Sequence, residues 1–414
     1  MVDHARHVPL QPTPWIADEA CSAIDEIVSD ALRRFDERRF WPSHPLEDGL
    51  PDGHAGFYVG ATGVIWALEY LKRVGATEIH FDFRPVLAHL LHTNKAQYTS
   101  VASRDNYSGH GSFLFGDMGT ALVVMRLAPT PAIADLIETR ANANMALPVR
   151  ELMWGMPGSM LACVHMAEMT REARWQALFR MQASRLLDAL EETDNGPLWT
   201  QDLYGRHLQY LGAVHGYAGN MIPLIRGWHW LGVEQRDRIT EAVPRTLAAN
   251  AWRSNTGTSW RAVIGDDKPP VLCQHCHGAP GMVTTFADAP FTSPELETML
   301  VDGGHFTWTA GPLAKGSNLC HGTGGNGYAF LKLYRRTKDP KWIERARAFA
   351  MTAISQCRES RRTFGRGRYS LWTGDVGHRV PDARDAGAGH ARPDDEPRAG
   401  PPVVLRSGHR RPGR

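Results

Sequence analysis

Two Cys-His pairs, Cys276-His277 and Cys320-His321, each stand immediately before a glycine turn that opens into an apolar run. The segments read Cys276-His277-Gly278-Ala279-Pro280-Gly281 and Cys320-His321-Gly322-Thr323-Gly324-Gly325. Thiolate and imidazole are the ligand types that zinc prefers. Two cysteines and one histidine would leave a fourth position for water or an incoming thiol, the ligand count of a catalytic ion rather than a structural one. Cys273 adds a competing pattern, because Cys273-Gln274-His275-Cys276 is a Cys-x-x-Cys. Taken alone that spacing fits a closed four-ligand zinc knuckle or a redox pair. The chain holds no second Cys-x-x-Cys to complete a knuckle.

The elements that must position these residues show as a repeat. Gly-x-x-Gly pairs recur at Gly60/Gly63, Gly116/Gly119, Gly155/Gly158, Gly216/Gly219, Gly278/Gly281, Gly322/Gly325 and Gly374/Gly377. Most follow an aromatic, apolar or histidine residue and precede an apolar run such as Val64-Ile65-Trp66-Ala67-Leu68 or Ala121-Leu122-Val123-Val124-Met125. Amphipathic segments with apolar residues at three- and four-residue spacing lie between the turns. They include 17–40, 85–98, 131–145, 171–192, 234–252 and 341–358. Alternating β-branched stretches are nearly absent. The pattern predicts an all-α chain in which an amphipathic helix alternates with a nearly apolar one. An apolar helix must be buried on most sides, so the expected architecture is an α/α toroid, an inner ring inside an outer ring, nominally seven helices each. The glycine turns would gather at one end of the inner barrel, where backbones approach closely and glycine tolerates unusual dihedrals. Ligands far apart in sequence would meet there, and the helix N-termini would lower the pKa of a thiol.

The chain of 414 residues is 43% hydrophobic and 22% charged, the composition of a soluble globular protein. A formal net charge of +2 offers no basic face for nucleic acid. No apolar stretch approaches the ~20 residues needed to span a bilayer, and the N-terminus lacks the apolar centre of a secretory signal. The expected location is cytoplasmic, and the six scattered cysteines are expected to be reduced or metal-bound rather than disulfide-linked. The repeat pattern makes residues 1–377 one domain. Residues 378–414 contain no aromatic residue and no lysine, and are expected to be a disordered tail. That tail starts where the repeat calls for the seventh inner helix. The last inner helix is therefore expected to be missing or degraded, as a reading-frame change in the gene would leave it.

The run Leu319-Cys320-His321-Gly322-Thr323-Gly324-Gly325-Asn326-Gly327-Tyr328-Ala329-Phe330-Leu331 resembles the lanthionine synthetase C-like (LanC-like) proteins. So do Cys276-His277-Gly278-Ala279-Pro280-Gly281, Val214-His215-Gly216-Tyr217-Ala218-Gly219 and Ser370-Leu371-Trp372-Thr373-Gly374-Asp375. The resemblance spans about residues 50–377. It implies a double ring of seven inner and seven outer helices, and zinc held by Cys276, Cys320 and His321. It also implies activation of a thiol that adds to a dehydroalanine or dehydrobutyrine and forms a thioether. The thiol would be a peptide cysteine, as in bacterial lanthipeptide cyclases, or glutathione, as in eukaryotic-type relatives. His277, where classical cyclases tend to carry tyrosine, tilts the chain toward the eukaryotic-type branch. So does the absence of an arginine shortly before Cys276, a stretch occupied by Val271, Leu272 and Gln274.

In that chemistry the new adduct must receive a proton at its α-carbon. His215 is the expected general acid, with a structural histidine as the alternative. Glu151, where bacterial cyclases look similar with an aspartate, would orient a histidine or assist proton transfer, or else serve as a helix-start carboxylate. His277 is expected to contact substrate or support the ligands. Lys315 and Arg368, with Arg366, would meet a carboxylate of glutathione or peptide, or form a solvated basic loop. Cys21, Cys163 and Cys357 are expected to be ordinary buried cysteines. The main alternative is a non-catalytic, regulatory zinc module that binds glutathione or a partner protein; a toroidal glycosidase would need two carboxylates facing across the cavity. The open and closed readings of the zinc site part on metal content: a Cys273→Ser variant is expected to retain zinc, and its loss on metal analysis would favour the closed knuckle.

Overall fold

The computed structural model describes residues 3–10, 13–47, 52–105, 110–265 and 269–377. Among these residues seven amphipathic helices form the outer ring: α1 (Ala17–Arg34), α3 (Leu87–Asp105), α5 (Pro131–Asn144), α7 (Ala173–Asp188), α9 (Val233–Ala249), α11 (Pro294–Ala310) and α13 (Pro340–Phe364). In α1 the buried residues Ala20, Ala23, Ile24, Ile27, Val28 and Ala31 keep the three- and four-residue spacing of one face. Thr130, Ser293 and Asp339 cap α5, α11 and α13, each accepting a backbone N–H, and proline follows at the first helical position. Such caps contribute about 1 kcal/mol each. The helix α11 was not among the periodic segments picked out by sequence.

Among the described residues six inner helices alternate with these: α2 (Ala61–Arg73), α4 (Asp117–Leu127), α6 (Met156–Thr170), α8 (Tyr217–Arg226), α10 (Ala279–Phe286) and α12 (Thr323–Thr337). Each packs on the next in order, and α1 meets α13 to close the outer ring. All eight residues of α10 are buried, as an inner helix requires. The position of a seventh inner helix and the expected tail fall beyond Gly377, outside the described residues.

The inner helices have no side-chain N-caps. Their starting N–H groups instead donate back to the preceding loop. Ala61 donates to His54, Asp117 to His110, Tyr217 to Tyr210 and Thr323 to Gly316, each to a carbonyl seven residues earlier, at 2.8–2.9 Å. This wrap explains the Gly-x-x-Gly repeat. A Cβ on the first glycine of any pair would lie 2.1–2.5 Å from the carbonyl oxygen six residues before it, and one on the second glycine 1.9–2.9 Å from its own. Unusual dihedrals are the minor cause, since among these glycines only Gly278 has a positive φ, 106°.

Around the mouth, the turns hydrogen-bond to one another through one recurring position, two residues before the first glycine. Tyr58 N–H donates to Leu114 O (2.9 Å), Leu114 N–H to Met153 O (3.4 Å), Cys276 N–H to Cys320 O (3.1 Å), Cys320 N–H to Trp372 O (2.9 Å) and Trp372 N–H to Tyr58 O (3.3 Å).

Two short hairpins were not expected. They are β1 (Thr200–Leu203) with β2 (Arg206–Gln209), and β3 (Ala251–Ser254) with β4 (Gly257–Trp260). Tyr204 and Gly205 both have positive φ at the first hairpin's tip, which suits a two-residue turn. The strands are four residues long and carry no β-branched alternation, so periodicity could not reveal them. Among the described residues no helix is long and apolar enough to cross a membrane. Replacing Gly325 with alanine sets a Cβ 2.0 Å from Leu319 O. It is expected to lower stability by about 2 kcal/mol or more, read as the shift in urea midpoint, and an unchanged midpoint would remove the close-approach explanation.

Candidate functional site

Cys276 and Cys320 sit in adjacent turns, and the backbone bond between them places their side chains together. Both thiols are free, both are buried, and they share a hydrogen bond. Each sulfur also has a donor of its own. The Tyr58 hydroxyl donates to Cys320 Sγ at 2.8 Å, and Gln274 Nε2 donates to Cys276 Sγ at 3.0 Å. Donation from Cys320 holds the Cys276 thiol below its usual range, while Cys320, which gives that bond, is pushed well up. The pair therefore parts with one proton readily and with the second reluctantly. Lys315, exposed on the loop before Cys320, is close enough to favour the Cys320 thiolate.

His215 stands beside this pair, near enough to favour the Cys276 thiolate. Its Nδ1 lies 2.8 Å from Glu151 Oε2. Glu151 is fully buried and also accepts the backbone N–H groups of Met153 and Trp154. A carboxylate can only accept, so this contact puts the His215 proton on Nδ1 and leaves Nε2 as the basic nitrogen. The carboxylate thus both orients the imidazole and ties turn three to turn four. The ring of His277 lies 6.4 Å from that of His215. Burial, and secondarily His215, push its pKa down to about 4, so it is neutral at pH 7.

Aromatic rings continue the wall of the mouth. Trp372 stacks on Tyr58 at 6.2 Å, Tyr58 meets Phe115 at 5.3 Å, and Phe115 stacks on Trp154 at 5.0 Å. Trp154 Nε1 donates to the Tyr204 hydroxyl at 3.2 Å, and the Tyr204 ring stands edge-on to His215 at 5.6 Å. The arc runs from turn seven to turn five, and the two sulfurs complete the circuit.

His321 and Arg368 remain among the expected residues. His321 is half-buried and follows Cys320, with its N–H fixed to Asn318 Oδ1 at 3.0 Å. Among the described residues no group of three His, Cys, Asp or Glu side chains is gathered closely enough to hold a metal ion. Of the three expected ligands the fold brings the two sulfurs together, at the kind of separation that two thiolates on one zinc ion also keep. The donor chemistry nevertheless fits a thiophilic cation, with two soft sulfurs and an imidazole on the adjoining residue. Arg368, expected to meet a substrate carboxylate, has internal partners instead. Its Nε lies 2.6 Å from Glu47 Oε1, its Nη2 donates to Leu46 O, and its side chain is 11% exposed. Arg366 lines a separate cleft of about 540 Å³ with Asp25, Asp30 and Arg33. Burial pushes the Cys273 thiol up to about 12; Cys163 and Cys357 are buried as expected, but Cys21 is only half-buried.

Tyr58, Gln274 and Trp372 were missed as site residues. A signal for two of them was present, because Tyr58 and Trp372 hold the same place before their glycines as the two cysteines.

Comparison with known proteins identifies relatives and a shared fold. The zebrafish (Danio rerio) glutathione S-transferase LANCL1 is 32% identical over 176 residues, 41% of this chain and 41% of that protein. The LanC-like protein GCL1 of Arabidopsis thaliana is 34% identical over 152 residues, 36% of this chain and 34% of that protein. The matched stretch thus spans less than half the length of either relative. Nisin cyclase shares the fold at 14% identity, with a TM-score of 0.54 over 85% of this chain and 95% of that structure. The family model for lanthionine synthetase C-like proteins matches residues 17–378, and this chain belongs to that family.

Proposed function

We propose that the chain adds a thiol, from a peptide cysteine or from glutathione, to a dehydroalanine or dehydrobutyrine and so forms a thioether. The observation that carries this reading is the contact between Cys276 and Cys320 beside the Glu151–His215 pair. The names of the relatives, a glutathione S-transferase and nisin cyclase, point the same way. Cys276, Cys320 and His321 would hold zinc. When bound, zinc would keep an entering thiol deprotonated at neutral pH, where a free thiol, with a pKa near ~8.5, is only a few per cent thiolate.

The chain's residues divide the remaining work. The entering sulfur attacks the β-carbon of the alkene, and the electron pair released to the α-carbon takes up a proton. His215, fixed by Glu151 through Nδ1, presents its other nitrogen for moving that proton. His277, neutral at pH 7, lines the same wall without adding charge against an electrophile. Lys315 supplies positive charge near Cys320, where a substrate carboxylate would be held. The aromatic arc excludes water from the alkene.

Purified protein is expected to carry about one zinc per chain, lost in Cys320→Ala, as measured by elemental analysis. Incubation with glutathione and a dehydroalanine-containing peptide is expected to give the adduct by mass spectrometry. His215→Ala should lower its rate by roughly a hundredfold or more. No adduct, with zinc and glutathione both bound, would turn the reading to a binding module without turnover.

A further inference from the structure

A site that brings electrophilic alkenes to thiols endangers its own sulfurs. If Cys276 or Cys320 added to the β-carbon, a carbon–sulfur bond would form and the α-carbon would take a proton. The ligand would then be lost as a stable thioether. We infer that Tyr58 and Gln274 are positioning residues that hold and mask the two cysteine sulfurs, so that addition proceeds from the entering thiol and not from the protein. This inference rests on the reaction proposed above.

Both residues are built toward sulfur. The Tyr58 backbone is tied on both sides, its N–H to Leu114 and its carbonyl to Trp372. Its ring is flanked by Phe115 and Trp372, and its hydroxyl ends on Cys320 Sγ at 2.8 Å. Gln274 is buried, and its Oε1 meets no partner among the described residues, so its amide is anchored through the Nε2 bond to Cys276 Sγ. An amide buried with one of its two ends unsatisfied is costly, which fits a residue kept for what the other end does.

Both sulfurs of this pair accept a side-chain hydrogen bond, as Cys273 does from Thr307, whereas two other cysteines act as donors. Cys163 donates to Gln182 Oε1, and Cys357 donates toward Asp375. At the mouth, each sulfur accepts from a side chain. A hydrogen bond to sulfur engages a lone pair and stands in the path by which an electrophile would approach it. An acceptor bond also fixes the direction of the sulfur's remaining lone pairs, which orients it as a ligand.

The test is site-resolved alkylation by iodoacetamide and by N-acetyldehydroalanine methyl ester, followed by peptide mass spectrometry. It is run on protein as purified and after treatment with a chelator. Wild type is expected to react slowly at both cysteines. Tyr58→Phe, which removes only the hydroxyl, should speed modification of Cys320 by about tenfold while Cys276 changes little. Gln274→Leu should do the reverse. A merely structural role would loosen the mouth and raise both sulfurs together in either variant. That result, or rates equal to wild type, overturns the inference. Iodoacetamide requires no turnover, so failure of wild type to form the glutathione adduct removes the proposed reaction while the crosswise pattern is still decided. Should Tyr58→Phe not fold, as judged by its thermal melt, the Gln274 arm carries the decision alone.

Discussion

The circuit of backbone hydrogen bonds that joins one turn to the next at the mouth of the barrel is the constraint on which the site depends. It uses one recurring position, and Tyr58, Leu114, Met153, Cys276, Cys320 and Trp372 all occupy it. Neighbouring members are held at hydrogen-bonding distance, which brings side chains such as those of Cys276 and Cys320, or Tyr58 and Trp372, together. Cys276 and Cys320 are 44 residues apart in the chain, yet they meet because they are neighbours in this circuit. Each such bond is worth only about 1 kcal/mol net, so the circuit matters for where it places the turns more than for the stability it adds.

The circuit exists because the loops can press onto the helix starts. Carbonyl oxygens come closer to the turn glycines than a Cβ would allow, and the same loops donate the acceptors that cap the inner helices. One feature of sequence thereby serves two ends. The glycine pair lets the loop close, and closure supplies the caps that serine or aspartate gives the outer helices. An inner helix start with a side-chain cap would hold the loop away and open the mouth.

Much of this was legible in the sequence. The alternation of amphipathic and apolar segments gave the two rings, because burial on all sides is written into composition. The two cysteines were legible as a pair because they share a frame. Other parts could not be read in advance. The hairpins depend on turn geometry at Tyr204-Gly205 and not on strand periodicity. Arg368 looked available for an anion because Glu47, which holds it, is 321 residues away in the chain. Tyr58 escaped notice because its chemistry shows only when turn one is seen to stand two places from turn six, with turn seven between them. The cause of the glycine repeat was half right: close approach dominates, and unusual dihedrals account for Gly278 alone.

The circuit is broken at turn four, and the break falls where the acid–base groups lie. Val214 holds the recurring position there but takes no part in the ladder. Met153 N–H, which would continue the ladder, turns to the Glu151 carboxylate, and Glu151 spans the gap by holding His215. A fully buried carboxylate is tolerable only when donors surround it, and here two backbone N–H groups and one imidazole do so. A side-chain bridge has replaced a backbone one. It holds the barrel together at that point as the ladder does elsewhere, and it brings a proton-carrying group to the rim. Regular structure thus gives way at one place in the ring, and the irregularity is occupied by residues with chemistry to perform.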